Sequence, residues 1–173
     1  MKALILTADG VEDSEFFYPY YRLREEGIDV DVATPDGGAA TGKHGYPVPA
    51  NLTISDARSD DYDMLILPGG KGPEKVRLID NAVAIAREMT AAGKPIASIC
   101  HGIQTLISAG VLQGRRATCW AGVRDDLIAA GAAYSDEEVV VDGSLITSRS
   151  PHDLPAFMRE TLNTVAAVTG PTE

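Results

Sequence analysis

Short, solid apolar runs alternate along this chain with stretches of helical character, and that alternation most constrains its fold. Ala3 to Leu6, Met64-Leu67 and Pro95-Ile99 are apolar on nearly every residue and four or five residues long. A strand that is apolar on both of its faces must be covered on both, so such runs belong to a mostly parallel sheet with helices above and below. Ile28-Asp29-Val30-Asp31-Val32-Ala33 alternates with a period of two and reads as a further strand.

Between the runs lie helix signals. Asp13 or Ser14 caps a segment through Tyr18, Tyr21 and Leu23 to Glu26, and Gly27 stops it. Asp80 to Ala92 is a second helix, ended by Gly93, and Cys100-His101-Gly102 opens a third. A helix around Arg124 to Ala130, strands at Val139 to Val141 and Leu145 to Thr147, and a closing helix from Asp153 to about Val168 complete the chain. Asp142-Gly143 between the last two strands predicts one antiparallel hairpin. Residues 39–60 read as irregular, with short strand candidates near Val48 and Leu52.

At 173 residues, with no linker or internal repeat, the expectation is one domain over 1–173. The formal charge of −10 opposes binding to phosphate backbones and anionic lipid, so nucleic acid and membrane are not expected partners. No stretch approaches the roughly 20 apolar residues of a membrane span. The first residues are too short an apolar run, and too acidic after it, for a signal peptide. Two cysteines do not make a disulfide scaffold. The expected location is the cytoplasm.

In a sheet of this kind, sites lie at the carboxyl ends of the strands. Three such ends carry chemistry: Glu12 after the first strand, Gly69-Gly70 after Leu67, and Cys100-His101-Gly102 after Ile99. Ser98 and Gly102 flank Cys100 at two residues' distance, the small neighbours that a nucleophile on a sharp strand-to-helix turn requires. A helix N-terminus there would favour thiolate over thiol, and thiolate is the form that attacks a carbonyl carbon. Gly70 would bring the chain close to the sulfur, so that its N–H and that of His101 form an oxyanion hole. Glu12 is read either as a solvated helix-start acid or as a protonated carboxyl against Cys100. His101, directly after the nucleophile, is expected to point away from the sulfur of its own chain. The three histidines and two cysteines lack paired ligand spacing, so no metal site is expected, and no phosphate loop is present. His44 and His152 read as surface residues, and Cys119 as a packed one.

Ala97-Ser98-Ile99-Cys100-His101-Gly102, Leu67-Pro68-Gly69-Gly70 and Glu12 together resemble the PfpI family of intracellular cysteine peptidases, within the DJ/PfpI superfamily. Thr41-Gly42-Lys43-His44-Gly45-Tyr46, Leu106-Ile107-Ser108-Ala109-Gly110-Val111-Leu112 and Val139-Val140-Val141-Asp142-Gly143 extend the resemblance over almost the whole chain. It implies a flavodoxin-like three-layer α/β sandwich and a cofactor-independent enzyme. It also implies Cys100 as nucleophile, His101 beside it, Gly70 and His101 as backbone donors, Gly69 in the same turn and Glu12 at the sulfur. Glu74 matches the glutamate that completes a triad from a neighbouring subunit, within a dimer or a hexameric ring. Ile103 and Trp120 depart from the family's usual proline and tyrosine, which bears on specificity.

The substrate expectation is a small carbonyl compound, such as methylglyoxal or a glycated adduct, in stress protection. The alternatives are peptide hydrolysis by Cys100, His101 and Glu74, or a redox sensor in which Cys100 is oxidised. Glutamine amidotransfer would need a downstream His-x-Glu pair, which His152-Asp153-Leu154 does not supply.

Overall fold

A computed structural model describes residues 1–170. In chain order the elements are β1 (Lys2–Leu6), α1 (Asp13–Glu25), β2 (Asp29–Thr34), β3 (Ala40–Thr41), β4 (Pro47–Val48) and β5 (Leu52–Thr53). There follow β6 (Met64–Leu67), α2 (Gly72–Val76), α3 (Asp80–Ala91), β7 (Ile96–Ile99), α4 (Ile103–Ala109) and β8 (Arg116–Ala117). The last are α5 (Arg124–Ala129), β9 (Ala133–Tyr134), β10 (Val140–Asp142), β11 (Leu145–Ser148) and α6 (Leu154–Thr169). Every strand and helix expected from the apolar runs is present. The short helix α2 and the β8–β9 pair carry no such signal and were not anticipated.

Seven strands form the main sheet in the order β10-β11-β7-β6-β1-β2-β5. All neighbours run parallel except β10 against β11, the hairpin turned at Asp142-Gly143. Alternate residues of the solid runs face opposite layers. Leu4, Leu6, Leu65 and Leu67 pack with α3 residues such as Ile85 and Met89 and with Leu106 of α4. Ala3, Ile5, Met64, Ile66 and Ala97 pack instead with Phe16 and Leu23 of α1 and Phe157 of α6. The sheet thus sits between two helical layers, as an α/β sandwich. The fully apolar strands are the direct consequence, since both faces are dry.

β1 is flanked by β2 on one side and β6 on the other. The chain therefore reverses its direction of travel across the sheet at β1, and the crevice at the carboxyl ends of β1 and β6 is the topological switch point. The β3–β4 hairpin closes over that crevice. Gly10 N–H donates to the Thr41 carbonyl at 2.8 Å, and Lys43 N–H to the Val11 carbonyl at 2.8 Å. Among the described residues, no helix is long and apolar enough to cross a membrane.

Candidate active site

Cys100 is the first residue of a 3-10 turn, Cys100–Gly102, that joins β7 to α4. Alone among the described non-glycine residues it has a positive φ, 62°. Such a conformation costs on the order of 1–3 kcal/mol and persists only where the surroundings hold it. The surroundings here are tight. A Cβ on Gly102 would collide with the Leu67 carbonyl and lie 3.0 Å from Ser98 Oγ. A Cβ on Gly69 would lie 2.8 Å from Cys100 Cβ and 3.0 Å from His101 N. The sharp strand-to-turn bend expected from Ser98-x-Cys100-x-Gly102 is thus present. The expected helix N-terminus is a 3-10 turn one residue group ahead of α4.

Gly70 brings the neighbouring strand end against it. Its φ is 75°, and it forms an isolated antiparallel bridge with Val11. A side chain there would meet Glu12 N and the Gly10 carbonyl. We expect Gly70→Ala to destabilise the fold by about 2 kcal/mol or more, from positive φ and collision together. Chemical denaturation would measure the shift, and an unchanged midpoint would refute this account of the turn. The N–H groups of Gly70 and His101 both donate toward the Cys100 sulfur and draw its pKa down. They are two converging donors, the arrangement of an oxyanion hole.

The carboxyl group at the sulfur belongs to Glu15 and not to Glu12. Glu15 stands in the first turn of α1 and is fully buried. Its Oε2 accepts the Gly69 N–H at 2.8 Å, and the carboxyl interacts with the Cys100 sulfur. Burial pushes its pKa up from 4.5 to about 8, against the pull of the Gly69 N–H. Glu15 is therefore protonated at neutral pH. Glu12 instead precedes α1, and its carboxylate lies 3.3 Å from His44 Nε2 and 3.4 Å from Lys43 Nζ. The sequence contained a signal for the difference. Glu15, Pro19 and Leu23 recur at four-residue spacing on the buried face of α1, so Glu15 is an acid on an apolar stripe.

Burial and the charge of an ionised Glu15 raise the Cys100 thiol pKa, in that order. Protonating Glu15 removes that charge from beside the sulfur. The N–H groups of His101 and Gly70 oppose that rise, so they, rather than a helix dipole, are what favour thiolate here.

His101 Nδ1 lies 3.2 Å from Cys100 Sγ of the same chain. The expectation that it points away from its own sulfur is therefore corrected: the 3-10 turn, unlike an α-helical start, folds the imidazole back. Burial lowers the His101 pKa, Glu74 opposes that, and Lys43 adds to it. The imidazole is consequently neutral near pH 7 and able to take a proton. Trp120 stacks over it, with ring centroids 6.4 Å apart, and the Trp120 backbone N–H donates to the Cys100 carbonyl at 3.3 Å. Glu74, exposed on α2, lines with His101, Gly70, Lys71, Lys43 and Thr41 an open cleft of about 690 Å³.

Cys119 is separate from this chemistry. Its Sγ donates to the Trp120 carbonyl at 3.3 Å, and burial with Asp126 pushes its pKa up to about 12. Iodoacetamide should label Cys100 well before Cys119, as peptide mass spectrometry would show; preferential labelling of Cys119 would overturn the assignment. His152 is exposed on the turn before α6, and the Asp153 carboxylate beside it is held by Arg149 at 2.9 Å.

The fold and this site define an α/β sandwich with a cysteine on a strand-to-turn elbow at the sheet's switch point. The family model described as DJ-1/PfpI family matches residues 1–164. The chain is 55% identical over 160 residues to Deglycase PfpI of Pyrococcus furiosus, covering 92% of this chain and 96% of that one. It is 41% identical over 163 residues to the Putative cysteine protease YraA of Bacillus subtilis, covering 94% and 96%. A solved two-domain protein from Anabaena variabilis, with DJ-1/ThiJ/PfpI-like and ferritin-like domains, superposes with a TM-score of 0.93 at 38% identity. That match covers 95% of this chain and 48% of the two-domain one. The chain belongs to the DJ-1/PfpI family.

Proposed function

We propose that this protein is a cofactor-independent cysteine enzyme acting on small carbonyl compounds, of the glyoxalase or deglycase type. The observation that carries the reading is the Cys100–Glu15 pair beneath two converging N–H groups. That arrangement sets the Cys100 sulfur beside a site built for an oxygen that gains charge. The thiolate adds to an aldehyde carbon, the carbonyl π pair moves to oxygen, and the N–H groups of Gly70 and His101 receive that oxyanion. A proton from Glu15 or an imidazolium at His101 completes a hemithioacetal. With a 2-oxoaldehyde, neutral His101 carries the proton from the aldehyde carbon to its neighbour, and water then releases a 2-hydroxy acid. The net change adds one water and needs no external oxidant. The name of the Pyrococcus furiosus relative, a deglycase, supports this class.

Peptide hydrolysis by the same thiolate is the second reading. It is favoured by the open cleft beside Cys100 and by the name of the Bacillus subtilis relative. Purified protein tested on methylglyoxal and on a fluorogenic peptide, each against Cys100→Ser, separates the two. Turnover of the peptide alone would reject the carbonyl reading.

We also propose that the active unit is a homo-oligomer, a dimer or a hexamer built from dimers, in which Glu74 acts on the neighbouring subunit's imidazole. Glu74 is exposed at the cleft and its charge reaches His101, which supports a role for it there. Glu74→Gln should lower turnover about tenfold or more without a change in thermal midpoint. Mixing Glu74→Gln with Cys100→Ser chains should then restore activity if Glu74 acts between subunits. Sedimentation showing a fully active monomer would reject the assembly.

A further inference from the structure

We infer that Glu12, Asp13 and His44 form a binding site for a divalent transition cation at the rim of the cleft, a site distinct from the Cys100–His101 pair. The inference goes beyond the carbonyl reading and does not depend on it. One ligand atom from each of the three residues lies within 4.8 Å of the others. They come from the start of α1 and from the loop between β3 and β4, about thirty residues apart, so no sequence spacing signals them.

The independent observation is Asp13. The residue is only 7% exposed, yet its Oδ1 has no hydrogen-bond partner. A buried carboxylate oxygen left unpaired costs on the order of 1–3 kcal/mol or more, and such groups are rare without a function. The other oxygen, Oδ2, accepts the His44 N–H at 2.8 Å, which fixes the loop that carries the imidazole. Gly42, whose Cβ would collide with Asp13 Oδ1, lets that loop lie flush against the carboxylate.

One donor pair already has the spacing of a metal shell. His44 Nε2 and Glu12 Oε1 are 3.3 Å apart. Two ligands at about 2.0–2.1 Å from one tetrahedral ion are separated by roughly 3.4 Å. The set of one imidazole and two carboxylates suits zinc, cobalt or nickel, since calcium and magnesium take oxygen-only shells. Three protein ligands leave a position for water. Lys43, now 3.4 Å from Glu12 Oε2 and 59% exposed, is free to swing away as the ion takes over that carboxylate. The site also touches the elbow's support, because the Glu12 N–H donates to the Gly69 carbonyl at 3.2 Å.

The test uses full-length Cys100→Ser protein, so that the catalytic thiol is not a ligand. Titration with Zn²⁺ by calorimetry, and with Co²⁺ by visible absorption, should show one ion per chain with bands of low coordination number. Loss even of outer-shell partners costs 10–100-fold in metal affinity, so His44→Ala and Glu12→Gln should each weaken binding at least about tenfold. Asp13→Asn should do the same while keeping the bond to the His44 N–H. No stoichiometric binding, or binding unchanged in His44→Ala and Glu12→Gln, would overturn the inference.

Discussion

Cys100→Ser is expected to lower turnover of any true substrate by about 10³-fold or more, while the protein remains folded. Removing the nucleophile of a covalent mechanism typically leaves only the residual acceleration due to binding and the oxyanion hole. Here the hydroxyl is also a poor substitute. The Gly70 and His101 N–H groups lower the pKa of the group at residue 100, and neither brings an alcohol near ionisation at neutral pH. The side chain is nearly isosteric and the left-handed backbone at residue 100 is retained, so the thermal midpoint should move little. Circular dichroism melts alongside steady-state rates would check both. A serine variant with more than a tenth of the wild-type rate would mean that Cys100 is not the nucleophile.

Glu15→Gln should reshape the pH dependence of activity and of stability together. In the wild type an ionised Glu15, formed as pH rises through about 8, holds the Cys100 thiol pKa up, so the rise of activity that follows thiolate formation should be displaced to higher pH than in the variant. An amide cannot ionise, so this displacement should vanish in the variant, with a rate at pH 7 lower by about 10- to 100-fold because the donor is weaker. The stability effect has a definite sign. Glu15 binds its proton more tightly folded than unfolded, so its contribution is complete below about 4.5 and is lost as pH rises to about 8. At 1.36 kcal/mol per pH unit, that gap corresponds to roughly 5 kcal/mol. Denaturation midpoints of the wild type should therefore decline across that window more steeply than those of Glu15→Gln. Parallel profiles would show that Glu15 is ionised in the folded protein at neutral pH.

The elbow was legible because its requirements are local. A nucleophile in a positive-φ turn needs small neighbours two residues away, and Ser98 and Gly102 stand there in the chain. The second strand end, Gly69-Gly70, gained its meaning from the same logic. The acid was harder. Glu12 and Glu15 are both near the end of β1, and the choice between them depends on which face of α1 is buried. The four-residue spacing of Glu15, Pro19 and Leu23 held that information, but Glu12 in the strand-end loop drew the assignment. The direction of the His101 ring rests on the difference between a 3-10 turn and an α-helical start, which residue type does not encode.

By itself the sequence determined the layers of this protein. Apolar runs on every residue can exist only where both strand faces are dry, and their alternation with helices leaves little but a covered parallel sheet. It also determined which sulfur sits on the strand-end turn, since only one cysteine follows a strand with glycine two residues on. The tertiary structure decided everything that depends on approach between distant segments. The order of strands across the sheet, with β1 between β2 and β6, places the Gly10–Glu12 loop against Gly69-Gly70. The packing of α1 puts Glu15, rather than Glu12, beneath the sulfur. The return of the β3–β4 loop onto Val11 and Asp13 gathers Glu12, Asp13 and His44 into one cluster. Charges and hydrogen-bond donors act over a few ångströms, whereas the chain separates these groups by tens of residues, so their chemistry exists only once the sheet has assembled.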